Sequence, residues 1–294
     1  MEKNKLINIG PSRVNNEEWT TLIQPKTGLL DIDFKELLRY KDLWRMFVKR
    51  DIITQYKQTI LGPLWFFVNP ILTTIMYMVV FGGIANIPTD GIPAPLFYLS
   101  GICLWNYFAT CLTKTSSTFN DNQQIFGKVY FPRLISPLST VSSTLFVLAI
   151  QLFLFFIIYA YYFGSGAQIA PNIYILLLPV LIVILAGLSL GFGIIISSLT
   201  TKYKDLSILF TFLVQLWMYA TPIIYPLSMM SEEKQKYVAL NPVTAVMETF
   251  KYACFGQGVF SWGQLAYSFV FMSIVLCLGI LMFNRVQRSF MDTV

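Results

Sequence analysis

The sequence predicts an all-α integral membrane protein: six transmembrane helices, an amphipathic interface helix before them, and a re-entrant pair of half-helices before the last span. Three observations lead there. Only 12% of the 294 residues are charged and 55% are hydrophobic, whereas soluble domains carry about 25% charged residues. Six runs, near residues 60–85, 94–113, 134–163, 172–200, 206–225 and 262–284, contain no Asp, Glu, Lys or Arg. A helix of ~20 residues covers the ~30 Å hydrocarbon layer, and these runs are continuously apolar, unlike the alternating strands of a barrel. The cations are distributed asymmetrically. Of the 21 Lys and Arg residues, 18 lie before the first run, between the second and third, between the fourth and fifth, and after the sixth. Three lie on the opposite connections. The face richer in Lys and Arg is cytosolic. Both termini are therefore expected in the cytosol, which requires an even number of spans. The net charge of +6 reports this orientation, and no nucleic-acid partner is expected.

Residues 1–33 are polar and lack an early apolar region, so a cytosolic tail is expected rather than a cleaved signal peptide. Over 34–59, Phe34, Leu37, Leu38, Trp44, Phe47, Val48 and Ile52 recur at three- and four-residue steps, with Lys35, Arg39, Asp42, Arg45 and Lys49 between them. This pattern predicts a helix lying in the interface, aromatics toward the acyl boundary and cations toward anionic membrane lipids. Packing on a soluble domain is the alternative, and no such domain of useful size follows. Leu61-Gly62-Pro63-Leu64-Trp65 marks the turn into the first span, and residues 60–290 form the membrane domain.

Between the second and third runs lies a polar island, 120–139. Asn120 is a helix-start residue and Gly127 a helix-stop residue. Lys128, a Tyr-Phe pair, Pro132 and Arg133 follow. Charge counting places this basic-edged knob on the cytosolic face. A membrane protein with such a knob and no engine of its own is expected to be driven through it by another protein.

The stretch 221–261 is too punctuated to span and too apolar for a plain loop. Pro222, Pro226 and Pro242 break it, and 231–234 (Ser-Glu-Glu-Lys) reads as a turn at the outer surface. Asn241 is a plausible cap with Pro242 at the first position of a short helix. Two half-helices dipping into the outer leaflet, near 222–258, would form an external gate, because non-helical backbone at that depth must face protein or water. A structured external loop lying flat is the alternative.

The chain has no His, which excludes His catalysis and His metal ligation. Cys103, Cys111, Cys254 and Cys277 form no CxxC pair and read as small buried thiols. Gly127-Lys128 is followed by Val129 and lacks the spaced glycine of a phosphate loop. The six runs hold no ionisable residue, which disfavours proton- or ion-coupled carriers. Asp90, Glu232, Glu233 and Glu248 are the acids expected on the external side, and they form no catalytic pair. No enzyme activity is expected. Aromatics are abundant at 25 Phe, 16 Tyr and 6 Trp. An interfacial belt explains most of them, including Trp65, Phe66 and Tyr219 near span ends. Trp105, Tyr107 and Trp217 lie inside runs, where an amphipathic ring needs a polar partner. An uncharged conduit with exposed rings suits sugars, whose C–H faces stack while their hydroxyls stay wet.

The order of these features is similar to a known family. A basic amphipathic helix comes first, then Leu61-Gly62-Pro63-Leu64-Trp65, Lys128-Val129-Tyr130-Phe131-Pro132-Arg133, Lys202-Tyr203-Lys204-Asp205 and Leu240-Asn241-Pro242. Over about residues 34–290 the chain resembles the membrane subunit of type 2 ABC exporters for polysaccharide, the O-antigen and capsule export permeases. The resemblance implies a homodimer pairing with two copies of an ABC ATPase subunit in the inner membrane. This chain would bind no cofactor, ATP and Mg residing on the ATPase. A cytosolic coupling helix would comprise Asp121, Asn122, Gln123, Gln124, Ile125 and Phe126, with Lys128 and Arg133 on the return to the membrane. Tyr225, Pro226, Asn241 and Pro242 would belong to the gate. The substrate would be a lipid-linked polysaccharide, and Trp65, Phe66, Trp105, Tyr107, Trp217 and Tyr219 are the ring candidates for touching it. A drug or small-lipid exporter of the same superfamily is the alternative, although such relatives often carry a fused ATPase or a large first external domain. An integral membrane glycan polymerase or ligase is a further alternative.

Overall fold

In the computed structural model, which describes residues 34–201, 203 and 205–293, every regular element is helical. The tail 1–33, Lys202 and Lys204 lie outside the described residues. Helices α1 (Phe34–Arg39) and α2 (Lys41–Tyr56) come first. Helix α3 (Trp65–Tyr77) continues through a wider π-helical turn to Ile84. Helix α4 (Ala94–Ser116) leads to two four-residue helices, α5 (Thr118–Asp121) and α6 (Gln123–Phe126). Then follow α7 (Ile135–Gly164), α8 (Leu178–Thr200), α9 (Leu206–Tyr219), α10 (Glu232–Ala239), α11 (Pro242–Phe255) and α12 (Trp262–Thr293).

Among the described residues five stretches are long and apolar enough to cross a bilayer: Gly62–Ile84, Ala94–Ser116, Ile135–Gly164, Ile173–Thr200 and Trp262–Gln287. The remaining run, expected over 206–225, is helical for only 14 residues. At 1.5 Å per residue that is about 21 Å, less than the hydrocarbon thickness. Proline chemistry explains the stop. Pro222 and Pro226 cannot donate to a helical ladder and push their predecessors out of the helical region. Thr221 Oγ1 donates to the Trp217 carbonyl at 2.9 Å, and the chain then folds into a buried turn. This irregular segment is packed under α11, so its backbone lies against protein rather than lipid.

Helix α4 is the central post, packed against α3, α7 and α8, and α8 packs in turn on α12. Between membrane helices the lipid tails are as apolar as the side chains, so association depends on close van der Waals fit. Small residues supply it. A Cβ on Gly279 would lie 2.8 Å from the Gly191 carbonyl oxygen, and one on Gly193 would lie 2.5 Å from Thr115 Cβ. Three thiols are buried in these contacts, while Cys277 faces outward on α12.

The N-terminal pair breaks at Tyr40, and α2 ends at Tyr56, short of residue 59. Helix α2 lies along α7 with Phe47 buried against Phe131, ring centroids 5.7 Å apart. On its other flank Val48 and Ile52 line an open groove beside Ser142, with Lys41, Arg45 and Lys49 along it.

Candidate functional site

At the α2 end of the bundle, the polar island is a folded knob. A core of Phe47, Phe119, Phe126, Phe131, Ile135, Ile194 and Phe283 holds it to α2, α8 and α12. Phe119 stacks on Phe283 at 4.6 Å, and its backbone N–H donates to Ser197 Oγ at 3.2 Å. Asn122 interrupts the expected single coupling helix, its Nδ2 donating to the Thr118 carbonyl at 2.9 Å. Ser117 Oγ donates to the Asp121 carboxylate. The eight coupling residues therefore divide. Asn122 (8% exposed) and Phe126 (4%) point inward, and Ile125 is half-buried. Arg133 is also half-buried, its guanidinium 5.4 Å from the Phe126 ring centroid and donating to the Gln287 carbonyl at 2.8 Å. Asp121, Gln123, Gln124 and Lys128 are exposed, together with Val129 and Tyr130. The outward surface is thus short, largely uncharged and mixed in polarity, on a rigid aromatic base.

Within the membrane depth, α4 leaves one stripe uncovered, and that stripe is polar. Asn106, Thr110, Thr113 and Lys114 recur at helical spacing along it. On one side they border a cavity of about 440 Å³ with walls from α2, α3 and α7. On the other they border a second cavity, about 650 Å³, walled by α9. Thr110 and Lys114 belong to both. Gln55, Asn69 and Gln151 add amides to the first, and Thr211 and Gln215 add polar groups to the second. The outer faces of α3 and α9 carry exposed apolar side chains such as Leu72, Ile75, Leu209 and Leu213. The result is a groove with a polar floor and apolar shoulders. A polar floor at this depth belongs against water or a polar ligand, since lipid tails offer it no hydrogen bonds.

The six candidate rings separate by position. Trp65, Phe66 and Tyr107 line the first cavity, and Trp105 and Tyr219 line the second. Trp217 does not line either. Its Nε1 donates to Asn241 Oδ1 at 3.0 Å, and its ring meets Phe108 and Phe192 edge-on at 5.2 and 5.4 Å.

The far end is closed by α11 and the 221–226 turn. Asn241 caps α11, its Oδ1 accepting from the Val243 N–H at 3.1 Å, and its Nδ2 donates to Thr221 Oγ1 at 2.9 Å. Pro242 is buried behind it, and its carbonyl accepts from Ser268 Oγ of α12 at 2.7 Å. Tyr225 is half-buried, with its hydroxyl donating to the Tyr219 carbonyl at 3.2 Å, and Pro226 is buried. Residues 231–234, expected as a turn, instead open α10, where Glu232 and Glu233 complement the positive helix end.

One feature escaped sequence reasoning. Glu248 and Lys251 are 2% and 3% exposed and pair at 3.4 Å. Lys251 Nζ also donates to the Pro222 carbonyl at 2.6 Å and lies 4.3 Å from the Phe97 ring centroid of α4. Glu248 Oε2 accepts from the Val259 N–H at 3.4 Å. The available signal was the i, i+3 spacing of opposite charges within an apolar helix. The likeness of Glu248 to the exposed acids Glu232 and Glu233 hid it.

An all-helical membrane bundle, a polar groove along the Asn106–Lys114 part of α4 and a folded knob at the same end define a polytopic membrane subunit of the transporter class. The chain belongs to the ABC-2 type transporter family, whose model matches residues 42–255. It is 30% identical over 223 residues to the O-antigen export system permease protein RfbA of Myxococcus xanthus, covering 74% of this chain and 82% of that relative. A Klebsiella pneumoniae protein of the same name is 26% identical over 254 residues, covering 85% of this chain and 94% of that protein. The capsule polysaccharide export inner-membrane protein CtrC of Neisseria meningitidis is 22% identical over 274 residues, covering 90% and 97%.

Proposed function

We propose that this chain is the membrane permease of an ATP-driven exporter that moves a lipid-linked polysaccharide out of the cytosol across the inner membrane. It works as a homodimer with two copies of a separate ABC ATPase. The polar groove along α4 carries this reading. Its amides and hydroxyls can exchange hydrogen bonds with sugar hydroxyls, and Trp65 and Tyr219, the exposed rings of the cavity walls, offer faces beside them, while Phe66, Trp105 and Tyr107 are buried behind. A second copy laid against the apolar shoulders of α3 and α9 would turn the groove into a closed conduit. The polysaccharide-export names of the relatives agree with this chemistry.

The distribution of Lys and Arg orients the α2 end to the cytosol, both termini included. The ATPase, which holds ATP and Mg, docks on the knob there. Its closure is transmitted through Asp121, Gln123, Gln124 and Lys128, while Phe126 and Arg133 join the knob to α2 and α12 and Asn122 ties the knob to itself. Tyr225, Pro226, Asn241 and Pro242 form the gate at the external end.

Deletion of the gene, with complementation, tests the reading. Loss of surface polysaccharide and its accumulation on the cytosolic side are expected. Intact surface glycan with changed drug sensitivity would overturn it in favour of drug or small-lipid export. Tyr130→Asp, on the outward face of the knob, is expected to leave membrane insertion intact and reduce co-purification of the ATPase.

A further inference from the structure

Pro222 is buried, and among the described residues no backbone N–H reaches its carbonyl. The Lys251 ammonium supplies the donor at 2.6 Å. That side chain is itself buried, with Glu248 at 3.4 Å and the Phe97 ring of α4 at 4.3 Å. Burying an ion pair is costly, and an apolar pair of similar volume often holds a fold as well or better. Fold stability alone is therefore a weak reason for the pair. Its geometry supplies another, because it fixes one carbonyl of an irregular turn.

The next residue, Ile223, is fully buried and lies on α4 where that helix has no side chain. A Cβ on Gly101 would stand 2.9 Å from Ile223 Cγ2 and 3.3 Å from Ile223 Cα. Gly101 is one turn, about 6 Å, beyond Trp105 along α4. Thr221 is two residues beyond Tyr219, the last residue of α9. Trp105 and Tyr219 are the lining residues of the 650 Å³ cavity farthest from the knob on those two helices. The turn thus follows directly on the cavity at its end away from the knob, with Ile223 pressed against one of the two walls.

We propose that Lys251 is the positioning residue of a stopper at the external end of the groove: it holds the Pro222 carbonyl so that Ile223 stays seated on Gly101, and Glu248 keeps the ammonium in place. This rests on the reading of the groove as an export path. A charge-assisted bond is strong while dry and is exchanged for bonds to water once the turn lifts. The stopper is then held shut at rest and remains able to part when substrate passes.

The test uses the full-length permease in liposomes loaded with radiolabelled sucrose, a neutral probe. Wild-type vesicles should retain it. Glu248→Gln with Lys251→Met, which removes both charges together, should release it about tenfold or more faster, the shift that loss of one charge-assisted hydrogen bond produces in a closed–open equilibrium. Gly101→Cys and Ile223→Cys added to that variant should make it tight on oxidation and leaky again on reduction. A Cβ on Gly101 lies 3.5 Å from Ile223 Cβ, within disulfide range. Loosened packing elsewhere would leak in either redox state. Unchanged retention in the charge-free variant, a leak indifferent to the disulfide, or a cysteine pair that does not close overturns the proposal. If the charge-free variant does not fold, the cysteine pair alone decides in cells. Export that stops on oxidation and resumes on reduction supports the stopper, and equal export in both states overturns it. The leak needs no glycan, so unchanged surface polysaccharide on gene deletion, which ends the exporter reading, is a separate result.

Discussion

Asn241 joins three elements through one amide. Its oxygen accepts from the Val243 N–H and from Trp217 Nε1, and its nitrogen donates to Thr221. Asn241→Ala removes a helix cap and leaves the indole N–H unpaired, which together cost about 2 kcal/mol or more. Thermal unfolding in detergent should show a lowered Tm, with Asn241→Asp intermediate because it still accepts but cannot donate to Thr221. The Glu248–Lys251 pair makes a sharper case. Removing Lys251 alone strands a buried carboxylate and one backbone carbonyl, at about 3–5 kcal/mol. Lys251→Met is therefore expected to be severely destabilised. Lys251→Met combined with Glu248→Gln should recover much of the loss, and a double-mutant cycle on unfolding free energy reads the difference. Additive losses would show that the pair does not act as a unit.

At the scale of elements, the α8–α12 crossing depends on hydrogen atoms in place of side chains. A Cβ at Gly279 would approach Ile194 Cγ1 at 2.7 Å and the Gly191 carbonyl at 2.8 Å, and both sit on a packed helix. Gly279→Val should force the helices apart and cost about 1–3 kcal/mol. Gly164→Ala, at the open end of α7 where nothing lies within 4 Å, should be near neutral. Equal Tm values for the two variants would remove the close-packing account. The knob shows the same division between base and surface. Its aromatic underside is continuous with Phe47 of α2 and Phe283 of α12. The 14-residue α9 behaves differently, since Val214 is its one buried side chain.

For the whole molecule, the apolar shoulders of α3 and α9 lead to a symmetric prediction. In a homodimer closed over the groove, single cysteines at Leu209 or Leu213, in a Cys277→Ser background, should cross-link copies in native membranes. A cysteine at Ile274 on the outward face of α12 should not. Cross-linking at Ile274 and none along α9 would place the contact on another face. The groove also explains why a chain with so few charged residues keeps amides and hydroxyls along α4: they form the floor between two hydrophobic shoulders.

Much of this organisation was legible in the residues themselves. Charge-free runs mark the long helices, and Asn241-Pro242 announces the start of α11, because span length and capping depend on local composition. Prolines 222 and 226 were visible too, but an apolar run continuing past them hid the early end of α9. The inward turn of Asn122 and Phe126, the burial of Glu248 with Lys251, and the gathering of Lys114, Gln55 and Tyr107 around one cavity were not legible. Composition reports the average surroundings of a segment. Which side chain meets which partner is decided by helices distant in sequence, and only their packing brings a cation from α4, an amide from α2 and the rings of α3 to the same place.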